Sequence, residues 1–335
     1  MTELYLIRHA EAEGNVFRRL HGQYDSGVTP NGRRQIAALR QRFAPIAIDA
    51  VYASDLMRTC ITASALYEPK GLALHRDRRF REVSVGVWED IPFGWLRKYE
   101  AERMQAFSHD PANWFIDGCE RLPEYTARFL CALEEVSWAH DGQTVAIFSH
   151  GMVLRGVLQR LFEVEGHCEN TGVTHLFYEN GEYRLDYYND ASHISPEIST
   201  LGRQHWWRGD RKIDDLRYRD ADDGDGPLLR RLECPNAPRV RIALLGDEPV
   251  GVLALRDAET GIGELEHLAL LPQYRGQGLA VQLLGEAVSL FRAAGKTELR
   301  LCQAPETPEA RRFFTAYCFR GTPCAISLLP EAIGR

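Results

Sequence analysis

Three apolar runs of this 335-residue chain end in groups that are costly to bury alone. Leu4-Tyr5-Leu6-Ile7 leads into Arg8-His9. Ala50-Val51-Tyr52-Ala53 leads through Ser54-Asp55 to Arg58. Val145-Ala146-Ile147-Phe148 leads into Ser149-His150-Gly151. Two guanidiniums and two imidazoles gathered in one place repel one another unless they share an anion. The arginine fork meets two phosphate oxygens at once, so Arg8 and Arg58 suit a phosphate, with a histidine poised to react beside it. A fourth stretch carries different chemistry. Glu264–Leu270 runs through Arg275-Gly276-Gln277-Gly278-Leu279-Ala280 into an apolar helical segment. Glycines at a strand-to-helix turn let backbone amides approach a pyrophosphate at the helix N-terminus.

The elements that position these groups follow from periodicity. Residues 1–195 alternate short apolar strands with helical stretches, such as Asn31–Phe43 and the segment after His150, where Val153, Leu154, Val157, Leu158, Leu161 and Phe162 share one face. Ser54 reads as the N-cap of the helix that runs through Leu66. Short strands separated by helices imply a mostly parallel sheet with helices on both faces, and ligands bind outside the carboxyl ends of such strands. Val173–Tyr178, Asn180-Gly181 and Tyr183–Tyr187 read as a hairpin. Periodicity is lost over residues 196–213, which are expected to connect the units, with Trp206-Trp207 packed against one of them. A second, mixed α/β unit over 214–335 has strands near 216–219, 239–245, 250–255, 264–270, 298–302 and 325–328, with helices at 278–294 and 308–317.

Composition limits the class. A net charge of −7 argues against general nucleic-acid binding, and no apolar run approaches a membrane span. The start MTELYLIRH lacks the features of a secretion signal, and the eight cysteines include no CxxC pair. Reduced cysteines, a cytoplasmic setting and no metal site are expected.

The first unit resembles the histidine phosphatase superfamily, the phosphoglycerate mutase-like proteins, over about residues 1–193. The resemblance rests on Arg8-His9-Ala10 with Glu11 and Asn15, on GQYDSGVTPNG with Gly22, Asp25, Thr29 and Gly32, on SDLMRTCITA with Arg58, on REVSVGVWED with Glu82, on DGCER with Glu120, and on SHG with His150. It implies that unprotonated His9 attacks phosphorus and becomes a phosphohistidine. Arg8, Arg58 and His150 would hold the phosphoryl oxygens, and Glu82 would serve as general acid and then base. Asn15 and Gln23 would lend further donors, with His21 a weaker candidate. Ala10 replaces the usual glycine, one added methyl that a negative φ accommodates. The arginines 76, 78, 79 and 81 read either as a solvated loop or as an extension of the site.

The second unit resembles a GNAT-type N-acetyltransferase over about 214–335. This implies that Arg275, Gly276, Gln277, Gly278, Leu279 and Ala280 bind the pyrophosphate of acetyl-CoA, and that the backbone of Leu268, Ala269 and Leu270 pairs with its pantetheine arm. Glu264 or Glu266, with His267 on the same strand, are candidate bases for the amine. Phe314 stands where many members carry a proton-donating tyrosine, Cys318 where glycine is usual, and Tyr317 lies one turn on. The expected function is bifunctional: phosphomonoester hydrolysis and acetyl transfer to an amine, on small metabolites of one pathway. The alternatives are a phosphatase with an acetyl-CoA-sensing second unit, a protein phosphohistidine phosphatase with a docking module, and a mutase-type phosphotransferase.

Overall fold

The computed structural model describes residues 1–204, 215–322 and 324–329; Trp206-Trp207 lie outside them. Its first sheet has the order β4-β3-β6-β1-β7-β8. These strands are β1 (Thr2–Arg8), β3 (Ala50–Ala53), β4 (Leu74–Arg76), β6 (Thr144–Ser149), β7 (Val173–Glu179) and β8 (Glu182–Asp190). The first four run parallel, and β7 and β8 form the antiparallel hairpin, turning at Asn180 and Gly181 with φ of 54° and 86°. Helices α2 (Pro30–Phe43) and α3 (Met57–Lys70) cover one face, where Leu39, Phe43 and Leu66 pack on Ile7, Val51 and Phe148. Helices α6 (Leu122–Ala139) and α7 (Gly151–Phe162) cover the other, where Phe129, Leu133, Val153 and Val157 pack on Leu4, Leu6 and Ile147.

The parallel register decides the site. Arg8 lies opposite Ser149, and Ala53 opposite Phe148, so the three strand ends carrying Arg8-His9, Ser54 and His150 are flush. Helix α3 begins later than the sequence suggests. Its first residue is Met57, whose N–H is taken by Asp25 Oδ1 at 2.8 Å, while the Ser54 hydroxyl lies 2.9 Å from His150 Nε2. Ser54 is therefore not the N-cap. A tertiary partner outcompeted the helix end for its hydroxyl.

Around the sheet edge lie α1 (Glu13–Phe17), a two-stranded ribbon of β2 (Arg19–Leu20) and β5 (Ile91–Pro92), and helices α4 (Phe93–Tyr99) and α5 (Ala101–His109). Residues 198–201 are bound to this unit: Gln35 donates to the Ile198 carbonyl at 2.7 Å and Thr200 to Glu11 at 2.9 Å.

The second sheet has the order β14-β13-β12-β11-β10-β9. It comprises β9 (Leu216–Asp220), β10 (Arg239–Leu245), β11 (Glu248–Asp257), β12 (Ile262–Leu270), β13 (Glu298–Leu301) and β14 (Ala325–Ser327). Helices α8 (Gly226–Arg231), α9 (Ala280–Ala293) and α10 (Pro308–Ala316) pack on it. Only β12 and β13 are parallel. The α9 residues Leu284, Ala287, Val288 and Phe291 pack on this sheet. The opposite face of α9, at Gly285, Glu286, Ser289 and Arg292, meets the first unit, while Gln282 accepts from Leu216 N–H of β9. Phe17 of α1 belongs to the second unit's core, and a Cβ on Gly285 would sit 2.4 Å from its ring. Any larger residue there would force the two units apart.

Candidate functional site

His9 is buried at the end of β1, and its tautomer follows from one contact. Nδ1 lies 2.7 Å from the Ala10 carbonyl, which can only accept, so Nδ1 carries the proton and Nε2 keeps its lone pair. Burial, then Arg58 and Arg8, hold the imidazole well below its ordinary pKa, which keeps it neutral. Ala10 has a negative φ, and its N–H donates to Thr62 at 2.9 Å, so the added methyl sits in an unstrained backbone.

His150 has the opposite tautomer. The Ser54 hydroxyl accepts from Leu56 N–H and donates to His150 Nε2, leaving the proton on Nδ1. Burial, then Arg58 and His9, depress this pKa as well. The two rings are 5.2 Å apart, one offering a lone pair and the other an N–H. Nδ1 of His150 and Nε of Arg8 are both buried without an acceptor. Buried donors are nearly always paired, and two orphans beside one nucleophilic nitrogen mark a place for an anion. Arg8 is anchored by the Cys168 carbonyl, and Arg58 by those of Gly22 and Tyr24 at 2.7 and 2.9 Å.

Glu82 arrives from a loop and caps α7. Its Oε1 accepts from Val83 and Val153 N–H at 3.0 and 2.8 Å, and its Oε2 accepts only from Met152 N–H, at 3.0 Å. Oε2 thus retains a site for a proton. With His9 and Asn15 it lines a cavity of about 450 Å³. Asn15 uses Oδ1 to accept from Ala12 N–H at 2.9 Å, and its Nδ2 has no acceptor among the described residues. Gln23 goes elsewhere: its amide donates to the Glu82 carbonyl at 3.1 Å and to Glu120 at 3.3 Å, and it is not part of the cavity wall. Of the arginine run, Arg79 pairs with Asp77 and Glu135 and Arg81 with Asp55.

Sequence reasoning missed several wall residues. Asn170 donates to the His9 carbonyl at 2.9 Å, and its Oδ1 is buried and unpaired. His21, the weaker candidate of the sequence, has its side chain buried in the wall and donates through Nε2 to Asp90 at 2.9 Å. Arg155 lies one helical turn beyond Gly151. Neither Asn170 nor Arg155 carried a local signal, since each is fixed by a contact distant in sequence.

In the second unit β12 pairs with β13 only from Ile262 to Leu265; the last link is Cys302 N–H to the Leu265 carbonyl, at 3.0 Å. Glu266 is the extra residue of a bulge, and beyond it Leu268, Ala269 and Leu270 pair with β11 alone among the described residues. Strand β13 ends at Leu301, so beyond this point the edge of β12 is open on that side. Gly276 and Gly278 have φ of 71° and 75°, and a Cβ on either would meet nothing within 4 Å. Leu279 and Ala280 then start α9. This open turn and unpaired edge fit an extended ligand bearing a pyrophosphate. Arg275 donates back to the Leu270 carbonyl at 3.0 Å and Gln277 to the Gln273 carbonyl at 2.6 Å, so their side chains brace the turn. Glu266 pairs with Arg256, and His267 donates to the Leu232 carbonyl at 2.8 Å. Phe314 packs edge-on against Phe319. Tyr317 packs on Phe313, and its pKa is pushed up to about 12 by burial and then by Glu11.

The sequence model of the histidine phosphatase superfamily (branch 1) matches residues 4–191, and that of the acetyltransferase (GNAT) family matches residues 204–318. A Yersinia pestis (strain Pestoides F) protein described as "Probable phosphoglycerate mutase" is 32% identical over 215 residues, which is 61% of this chain and 100% of that one. Among solved structures, YhfR of Bacillus stearothermophilus matches with a TM-score of 0.56 at 28% identity, covering 58% of this chain and 100% of its own. A variant of Entamoeba histolytica phosphoserine phosphatase in complex with phosphoserine matches with a TM-score of 0.52 at 25% identity, covering 58% and 100%. On this evidence the chain belongs to the histidine phosphatase superfamily and carries a GNAT-family domain behind its phosphatase-like unit.

Proposed function

We propose that the first unit is a phosphomonoesterase that works through a phosphohistidine on His9. The observation that carries this reading is the His9 Nε2 lone pair facing two buried orphan donors, Arg8 Nε and His150 Nδ1. Nε2 attacks phosphorus while Arg8, Arg58 and His150 take the charge on the equatorial oxygens. Glu82 gives a proton to the departing alkoxide. It then takes one from the water that attacks the phosphohistidine, releasing phosphate and restoring His9. Asn15 supplies a further donor. The relatives named above, a mutase and a phosphoserine phosphatase, point to small phosphorylated metabolites. Rapid quenching with p-nitrophenyl phosphate should trap an acid-labile, base-stable phosphoenzyme. Phosphoryl transfer to a second substrate hydroxyl without net phosphate release would instead support mutase chemistry.

The second unit is proposed to take acetyl-CoA as co-substrate, with Arg275–Ala280 at the pyrophosphate and Leu268–Leu270 along the pantetheine. When bound, acetyl-CoA supplies an activated acetyl group for an amine, and Glu264 or Glu266 would remove the amine proton. A sensing role is the second reading. It is favoured by Phe314, which packs on Phe319 and has no proton to give. Free thiol released from acetyl-CoA on addition of amines would support transfer. A change in phosphatase rate with acetyl-CoA and no thiol release would support sensing.

A further inference from the structure

We infer that the phosphatase cavity contains a second anion-recognition point at Arg155, so that the substrate is a phosphomonoester bearing another anionic group, a carboxylate or a further phosphate. The inference rests on the phosphatase reading above and names the substrate class of that same site.

The Arg8 guanidinium lies over the first turn of α7, where a Cβ on Gly151 would be 3.1 Å from its Nε. Arg155 is four residues further along α7 and therefore on the same face, ~6 Å up the axis at about 1.5 Å per residue. Both arginines line the cavity. Their charge balance, like that of Arg58, differs from that of Arg18, Arg19 and Arg97. Arg18 and Arg97 share the buried Asp215, at 2.6 and 2.7 Å, and Arg19 is paired with Asp90 and Glu286. Arg155 donates from Nη1 to the Ser108 carbonyl at 2.9 Å, and no carboxylate pairs with it among the described residues. His167 at the same wall has its pKa lowered by burial, then by Arg155 and Arg8, so it stays neutral and adds no charge of its own there. Among the described residues Glu82 is the one carboxylate lining this cavity, against Arg8, Arg58 and Arg155, so the lining keeps an excess of positive charge until an anion enters. Phe93, Met104 and Phe107 line an apolar stretch of the same cavity, suited to a short carbon skeleton joining the two anionic ends.

The test uses the full chain and matched phosphomonoesters: phosphoserine against phosphoethanolamine, phosphoglycerate against glycerol phosphate, and fructose bisphosphate against fructose monophosphate. The wild type should prefer one class of acidic partner in kcat/KM by about 10- to 100-fold, the scale of one charge-assisted hydrogen bond. The class preferred distinguishes carboxylate from phosphate. Arg155→Gln should collapse that ratio and Arg155→Lys should restore part of it. If Arg155→Gln lowers both members of a pair equally, the residue merely braces α5 through Ser108, and the inference is overturned. Turnover of p-nitrophenyl phosphate with no preference in any pair overturns it as well, leaving the phosphatase reading intact. No turnover of any ester overturns the phosphatase reading and this inference together.

Discussion

Arg19 of β2 donates through Nη1 to Glu286 of α9 at 2.8 Å, and both side chains are less than one-tenth exposed. The same guanidinium donates through Nε to Asp90, which also accepts from His21 in the cavity wall and from Ser289 of α9. Two α9 residues therefore stand directly behind the wall of the phosphatase cavity, while the N-terminus of that helix forms the glycine turn. The two candidate sites share one rigid element.

Breaking this network from the second unit should be felt in the first. Glu286→Ala leaves Arg19 and Arg241 short of a buried partner, a change that typically costs about 3–5 kcal/mol. We expect a comparable loss in chemical denaturation and a fall in kcat/KM for p-nitrophenyl phosphate. Unchanged phosphatase kinetics would show that the shared helix is only scaffolding.

Removing the nucleophile should abolish turnover, and each transition-state donor should matter less. His9→Ala is expected to be inactive, while Arg58→Ala and His150→Ala should each reduce kcat by about 10²-fold or more. Ser54→Ala frees the wrong nitrogen of His150 to carry the proton, so it should lower kcat with little effect on KM. Steady-state kinetics on the four variants checks the order.

Acid should destabilise the fold through its buried histidines. The pKa values of His9, His150 and His21 are lowered by burial, and that of His193 is pushed down to about 4 by burial and Arg42. Below about pH 6.5 the unfolded chain binds protons that the native state refuses. Stability should therefore be flat above neutrality and fall with decreasing pH, by about 1.4 kcal/mol per unit for each such histidine, until its own folded pKa is reached. Denaturation midpoints measured from pH 8 to pH 5 would reveal the slope. A flat profile would mean that the histidines are charged in the native state. His9, kept neutral, should also remain a competent nucleophile in mild acid.

Cys318 has a φ of 67° and an exposed side chain. Glycine occupies that region without a Cβ penalty, so Cys318→Gly should stabilise the second unit by about 1 kcal/mol less the added chain entropy. A lowered Tm would show that the thiol makes a contact worth more than the strain.

Gly278→Trp should abolish acetyl-CoA binding in calorimetry, because the side chain would fill the open space above the turn. Acetyl transfer surviving that change would remove the cradle from this segment.

Local patterning made much of this legible. Period-two and period-3.6 apolar runs determined the strands and helices, and runs that end in Arg8-His9 and His150 announced an anion site, because burial of such groups needs a partner wherever the chain goes. The glycines at 276 and 278 announced a strand-to-helix turn, and the structure gives both a positive φ. What only the tertiary structure decided depends on pairs far apart in sequence. Ser54 holds His150 across 96 positions instead of capping its own helix. Gln23 resembles a phosphate ligand in its motif yet spends its amide on Glu82 and Glu120. Phe17 of the first unit fills the notch at Gly285 of the second. A side chain's hydrogen-bonding group goes to whichever partner the packed fold presents, and periodicity along one segment carries no record of which segment will lie across from it.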